Sequence, residues 1–85
     1  MSRQHHYLKI KPEYYRAIEQ GIKTFEVRFN DCNFQVYDVL HLQEWCEEGY
    51  TGREITAEIT YILSDERFVK EGYVVMSIKV ICINS

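Results

Sequence analysis

Several features that would place a chain in a particular class are missing from this sequence. No apolar run approaches the roughly 20 residues that a membrane-spanning helix requires, so we expect no contact with a membrane. The chain is polar from its start through His6, which argues against a signal peptide and favours a cytoplasmic location. Repeats, low-complexity tracts and linkers are also lacking. The 85 residues therefore predict a single small domain.

The three cysteines do not form the pattern of a disulfide framework or of a zinc site. Cys32, Cys46 and Cys82 are widely spaced, include no C-x-x-C pair and are followed by no histidine at zinc-finger spacing. His5 and His6 are adjacent, so on a strand they point to opposite faces and make a poor metal pair. We expect reduced thiols, with Cys82 in the core, and neither a metal nor a cofactor.

The chain also lacks a surplus of basic residues, since its formal net charge is −3. Proteins that hold long nucleic acids through the phosphates usually carry such a surplus. Any nucleic-acid role must therefore depend on a local basic cluster beside a pocket.

What the sequence does contain is typical of a small β-rich fold. Aromatic residues make up 14% of the chain, and seven of them are tyrosines. Alternating apolar patterns predict strands, the clearest of which cover residues 6–10, 24–29, 39–45, 53–63 and 74–82. One face of the fourth holds Ile55, Ala57, Ile59, Tyr61 and Leu63, and the inward face of the last holds Val74, Met76, Ile78, Val80 and Cys82. About six strands in so small a chain indicate a closed or nearly closed barrel.

Two helical segments and one loop complete this expectation. Lys11-Pro12 begins a helix, and Gly21 fits the left-handed cap that ends it. The apolar stripe of this helix consists of Tyr14, Ala17 and Ile18. Residues 64–69 predict a short second helix. Residues 47–52 contain two glycines and predict the longest loop, a candidate mobile flap.

The segment at residues 21–28 carries the most informative pattern. Read as a strand, its apolar side chains lie on one face, which we expect to be core; these are Phe25, Val27 and Phe29. The opposite face holds Thr24, Glu26 and Arg28, with Lys23 at the strand entrance. This polar row is either a solvated strand face or a binding surface for a small ligand.

The pattern G-x-K-x-x-E-x-R at residues 21–28 resembles the signature of the ASCH domain (activating-signal-cointegrator homology), a branch of the PUA-like β-barrels. The resemblance extends to a short bacterial and phage-type subgroup over nearly the whole chain. It includes H-Y-L-K-I at residues 6–10, N-D at 30–31, L-x-L-Q-E-W at 40–45, and Y-T-G-R at 50–53 followed by I-T-Y-I-L at 59–63. Two departures are Cys32, where arginine is usual, and Tyr37, where glycine is usual.

The resemblance implies a mainly β, α+β fold: a small PUA-like barrel of about six strands with an N-terminal helix and a short second helix. The domain would span residues 1–85, with a loose terminus at residues 1–5. It also implies binding of RNA or a nucleotide in a cleft that Lys23, Glu26 and Arg28 line. The full set of expected ligand-binding residues is Lys23, Glu26, Arg28, His6, Lys9, Trp45, Tyr50 and Arg53. Trp45 and Tyr50 would stack on an unpaired base, although a core or rim position fits Trp45 equally well.

Two other functions stay open. Some small ASCH-like proteins are amidohydrolases that act on N4-acetylcytidine, but Glu26 stands where their threonine nucleophile lies, which argues against an enzyme here. If the chain is an enzyme, Glu26 would act as a general base on water, with Lys23 and Thr24 as the other catalytic candidates. The last possibility is a protein-interaction domain. The chain could be a monomer or a homodimer.

Overall fold

One five-stranded sheet organises residues 3–84, the part of the chain that the computed structural model describes. Met1 and Ser2, which begin the expected loose terminus, lie outside the described residues, and the first strand already begins at His5. The elements are β1 (His5–Ile10), α1 (Pro12–Glu19), β2 (Phe25–Phe29), β3 (Val39–Cys46), β4 (Gly49–Leu63) and β5 (Tyr73–Asn84). No helix within this described part is long and apolar enough to cross a bilayer.

The sheet is a half-barrel whose two edge strands approach each other. Its strand order is β1-β3-β4-β5-β2, with β1 parallel to β3 and the other pairs antiparallel. In a flat sheet, four spacings of about 4.8 Å would separate β1 from β2 by roughly 19 Å. Arg28 on β2 nevertheless donates a hydrogen bond to the backbone carbonyl of Lys9 on β1, at 2.5 Å. The sheet is therefore strongly curved, and a side chain bridges the gap that a sixth strand would close.

The N-terminal strand and helix form much as their patterns predict. On β1, Leu8 and Ile10 are buried, and His6 shares their face. Pro12 opens α1, and Gly21 adopts a φ of +76° beyond its end, which confirms the expected glycine cap. The expected stripe is wrong at Tyr14, which is exposed, because the helix turns Tyr15 into the core beside Ile18.

The core lies on the concave side of the sheet, under α1. Its most deeply buried side chains are Tyr15, Ile18, Leu40, Leu42, Ile55, Ile59 and Met76. The buried face expected on β4 is confirmed for Ile55, Ala57 and Ile59 but is wrong at Tyr61, which is 63% exposed. A register shift between Ile59 and Tyr61 reverses the alternation there, so Ile62 packs against the core instead.

A second register shift makes the core position expected for Cys82 wrong. On β5, Val74, Met76 and Ile78 are buried as expected and Val80 is partly buried, but Cys82 is exposed. The register against β4 shifts between Thr56 and Ala57, which pair with Cys82 and Val80, so one residue of β5 bulges out of the ladder. All three cysteines are free and exposed.

Two connections differ from the expected ones. The candidate flap at residues 47–52 is a tight β-hairpin, since Cys46 pairs with Gly49 and Trp45 with Tyr50 across a two-residue turn. The expected helix at residues 64–69 is a single turn, closed by the Val69 N–H donating to the Asp65 carbonyl at 2.9 Å. One turn is too short to propagate a helix.

The turn before β3 holds Tyr37 in a conformation that favours glycine. Its φ is +84°, the sign that L side chains rarely adopt, and its N–H donates to the Ile59 carbonyl at 2.8 Å. The Tyr37 ring lies under the Arg3 guanidinium at 3.9 Å. A tyrosine at this positive φ therefore introduces backbone strain, partly offset by the contact with Arg3.

The strain at Tyr37 predicts an order of stability for two substitutions. Tyr37→Gly and Tyr37→Ala both remove the ring and its contact with Arg3, but only alanine keeps a Cβ at positive φ. We expect Tyr37→Gly to be more stable than Tyr37→Ala by about 1 kcal/mol in urea unfolding. An alanine variant as stable as the glycine variant would show that the backbone there is unstrained.

Candidate functional site

A cleft of about 660 Å³ lies between the two edge strands of the sheet, where β1 and β2 leave the barrel open. Its charged lining comes from the end of β1, the α1–β2 junction and β2, and consists of Lys9, Lys11, Lys23, Glu26 and Arg28. Four cations thus surround one carboxylate, in a chain whose net charge is −3. The sequence expectation placed Lys9, Lys23, Glu26 and Arg28 in the cleft but missed Lys11.

Aromatic rings form the second part of the lining, together with Ile10 and Val27. The rings belong to Tyr14, Phe25, Phe29 and Tyr73. Phe29 and Tyr73 meet edge to face with centroids 5.5 Å apart, while the Lys23 ammonium lies 4.7 Å from the Phe25 ring centroid. The cleft therefore offers both positive charge and exposed rings.

The two faces of β2 are reversed relative to the sequence expectation. Phe25, Val27 and Phe29 were expected in the core, yet they are 43%, 48% and 54% exposed. Glu26 is instead buried, at 4% exposure. A buried carboxylate is stable only when it is paired, so the reversal depends on the cations beside Glu26.

Those cations hold both oxygens of the Glu26 carboxylate. Lys23 Nζ lies 2.7 Å from Oε1, and Arg28 Nε lies 2.9 Å from Oε2. Lys23 also donates to the Phe25 carbonyl at 2.6 Å, and Arg28 reaches the Lys9 carbonyl across the gap. The three charged positions of the G-x-K-x-x-E-x-R pattern therefore form one cluster that ties β2 to the end of α1 and to β1.

The two aromatic residues expected to stack on bases lie beside the cleft rather than in its lining. Trp45 and Tyr50 pair across the β3–β4 hairpin, with ring centroids 6.0 Å apart. The Lys9 ammonium sits over the Trp45 ring at 4.3 Å. Trp45 lines a second groove that shares Lys11 with the cleft. Lys9 and Lys11 thus form the ridge between the two.

His6 is a buried structural residue, not a cleft residue. Its Nε2 lies 2.9 Å from Asp38 Oδ2, and Asp38 also accepts hydrogen bonds from the N–H groups of Gln4 and Gln35, at 3.1 Å and 3.0 Å. Burial acts to raise the pKa of Asp38, but these three hydrogen bonds outweigh it and hold that pKa below its usual range. The group fastens the start of β1 to the turn before β3.

Arg53 and Thr24 also lie outside the cleft lining. Arg53 pairs with Glu19 at 3.0 Å and with Glu44 at 3.7 Å, and it packs over the Tyr15 ring, so it ties α1 to the sheet. Thr24 is exposed, and its carbonyl accepts the Ile78 N–H of β5. Lys23 and Glu26, the other catalytic candidates, are paired with each other. Within residues 3–84, no three His, Cys, Asp or Glu side chains converge as metal ligands.

The fold and the cleft define a small, mainly β domain with a basic, ring-lined groove at its open sheet edges. The chain belongs to the family described as DUF3850, a domain of unknown function, whose sequence model matches residues 5–78. It is also 37% identical over 62 residues to an uncharacterised 12.9 kDa protein in the GpA 3′ region of Escherichia phage P2. That match covers 71% of this chain and 57% of the phage protein.

The burial of Glu26 predicts a stability effect at the cleft. Glu26→Gln leaves the partly buried Lys23 and Arg28 without their carboxylate, so we expect a loss of about 2 kcal/mol in urea unfolding. Glu66→Gln, at an exposed position, is the matched control and should change the free energy of unfolding by less than about 0.5 kcal/mol. Equal stabilities for the two variants would show that the cluster does not support the fold.

The hydrogen bonds to Asp38 predict how the free energy of unfolding depends on pH. Because its pKa is lower in the folded protein than the unfolded value of about 3.9, this carboxylate stabilises the fold fully above that value and progressively less as pH falls through the folded pKa. Wild type should therefore lose more stability than Asp38→Asn between about pH 5 and 2. The exposed Asp31→Asn is the control and should follow wild type; urea midpoints measured across this range check both.

Proposed function

We propose that the chain is an ASCH-type, PUA-like domain that binds RNA or a nucleotide in the cleft between β1 and β2. The observation that carries the proposal is the composition of that cleft: four cations, one paired carboxylate and four exposed or half-buried rings in a chain of net negative charge. A ligand that suits this lining is both anionic and aromatic. Nucleotides combine these two properties.

The ion pairs indicate that the four cations have two different roles. Lys23 and Arg28 share the single negative charge of Glu26, so this cluster keeps one net positive charge and its main role is to shape the cleft. Lys9 and Lys11 form no ion pair among residues 3–84, and both are exposed at the rim. They are therefore the groups best placed to take phosphate, for which lysine supplies a mobile point charge.

The rings supply the second half of the recognition. Stacking on Tyr14, Phe25, Phe29 or Tyr73 would hold an unpaired base, at roughly 1–3 kcal/mol for each base. Three of these four rings, those of Phe25, Phe29 and Tyr73, line the cleft beside the open strand edge. Stacking on a base would explain why these large side chains remain in contact with solvent. Exposed apolar groups beside an open strand edge are a liability unless a ligand covers them.

The experiment compares Lys9→Ala with Lys79→Ala, a lysine on β5 outside the cleft lining. Nucleoside 5′-monophosphates and short single-stranded RNAs are titrated into each protein by calorimetry, at two or more salt concentrations. Lys9→Ala should bind about tenfold more weakly than wild type, because one phosphate contact is lost, and its affinity should depend less on the salt concentration. Lys79→Ala should bind as wild type does.

Two results would contradict the proposal. One is the absence of binding for every nucleotide and RNA tested with wild-type protein. The other is an equal loss of affinity in Lys9→Ala and Lys79→Ala, because a general charge effect would then account for binding.

A further inference from the structure

Half of the main-chain groups of β2 point into the cleft. β2 is an edge strand that pairs only with β5, and the N–H of Ile78 on β5 donates to the carbonyl of Thr24 at 3.0 Å. Neighbouring residues of an antiparallel strand direct these groups to opposite sides. The N–H and C=O groups of Phe25, Val27 and Phe29 therefore face the open edge, where the cleft lies.

Val27 is the one residue of these three whose carbonyl and N–H are both without a partner among residues 3–84. The Phe25 carbonyl accepts the Lys23 ammonium at 2.6 Å, and the Phe29 carbonyl accepts the Asp31 N–H at 2.9 Å. Val27 lies between these two occupied positions, at the middle of the strand. Its free donor and free acceptor point in the same direction, into a cavity large enough for a small ligand.

The side chains around Val27 suit a flat ring placed at this edge. Phe25 and Phe29 flank it on its own face of β2, and Glu26 with Arg28 lies on the opposite face. A planar ring in line with the sheet edge would occupy the gap between β2 and β1, with apolar rings on one side and the guanidinium on the other. The base of a nucleotide offers such a ring, and its Watson–Crick edge carries a donor next to an acceptor.

We infer that the cleft reads its nucleotide through the main chain: the N–H and C=O of Val27 bind the Watson–Crick edge of the base, while Lys9 and Lys11 hold the phosphate. This inference rests on the proposed function and specifies its ligand class, a nucleotide whose base edge is unpaired. A base already paired in a duplex has no free edge to offer. The site therefore selects single-stranded RNA or free nucleotides over double-stranded RNA.

The first test changes the ligand and leaves the protein intact. The four nucleoside 5′-monophosphates are titrated into wild-type protein, and the one that binds most tightly is compared with an analogue whose edge donor is blocked by methylation while its base stays uncharged. These analogues are 3-methyl-UMP, 1-methyl-GMP, N6,N6-dimethyl-AMP and N4,N4-dimethyl-CMP. We expect blocking to weaken binding about tenfold or more. Ribose 5-phosphate, which has no base, is the control and should bind at least as weakly as the blocked analogue.

The second test removes the main-chain donor. Proline is tolerated on edge strands where its missing N–H faces away from the ladder, so Val27→Pro deletes the donor while keeping the pairing with β5. Val27→Ala is the matched control, since it shortens the side chain and keeps the N–H. Val27→Pro lacks the N–H but keeps the carbonyl, so it should bind the parent nucleotide about tenfold more weakly than Val27→Ala does. Equal affinities of the two variants for the parent nucleotide would overturn the role of the Val27 N–H.

The outcomes separate this inference from the proposed function. Nucleotides that bind in a manner sensitive to Lys9→Ala, but with equal affinity for parent and blocked analogue in wild-type protein, would overturn the main-chain readout and leave the proposed function standing. Failure of every nucleotide to bind would overturn both. If Val27→Pro does not fold, the comparison of the parent nucleotide with its blocked analogue in wild-type protein decides whether the main chain binds the base.

Discussion

The Glu26 carboxylate is the constraint on which the cleft depends. A charge buried to this extent needs partners, and Lys23 and Arg28 each take one of its oxygens. Lys23 thereby anchors the junction after α1, and Arg28 extends from Glu26 to the Lys9 carbonyl on β1. The two edge strands are thus held close enough to form a cleft but too far apart to pair. The charged cluster maintains a gap in the barrel.

The cleft in this gap differs from the rest of the chain in its charge and in its exposed apolar side chains. The protein as a whole is acidic, yet the cleft has a surplus of cations, and Phe25, Val27 and Phe29 are exposed on the strand beside it. Neither feature contributes to the core, where Tyr15, Ile18 and the inward residues of β3–β5 supply the apolar burial. Both features have a common explanation if the gap is where a ligand completes the sheet edge.

Sequence patterns predicted which residues share a face more reliably than which face is buried. The alternation of β1, most of β4 and the glycine cap at Gly21 were correct because local geometry decides them. The reversal of β2 was not predictable in this way, since an ion cluster and an edge position override the apolar pattern. The bulges beyond Ile59 and before Cys82 likewise shift the alternation through pairing with the neighbouring strand. At the site, the grouping of Lys23, Glu26 and Arg28 was predictable from their spacing, but Lys11 and the lining rings depend on how the sheet curves.

The most direct test is a ¹⁵N-labelled NMR titration with the nucleoside 5′-monophosphate that binds most tightly. Binding in the cleft should give the largest backbone shifts on β2, centred on the Val27 amide, and on Lys9 and Lys11, at and just after the end of β1. Amides on the outer face of the sheet, around His41, should not move. Shifts confined to that outer face, or an unchanged Val27 amide in a protein that binds the nucleotide, would contradict a cleft built on the edge of β2.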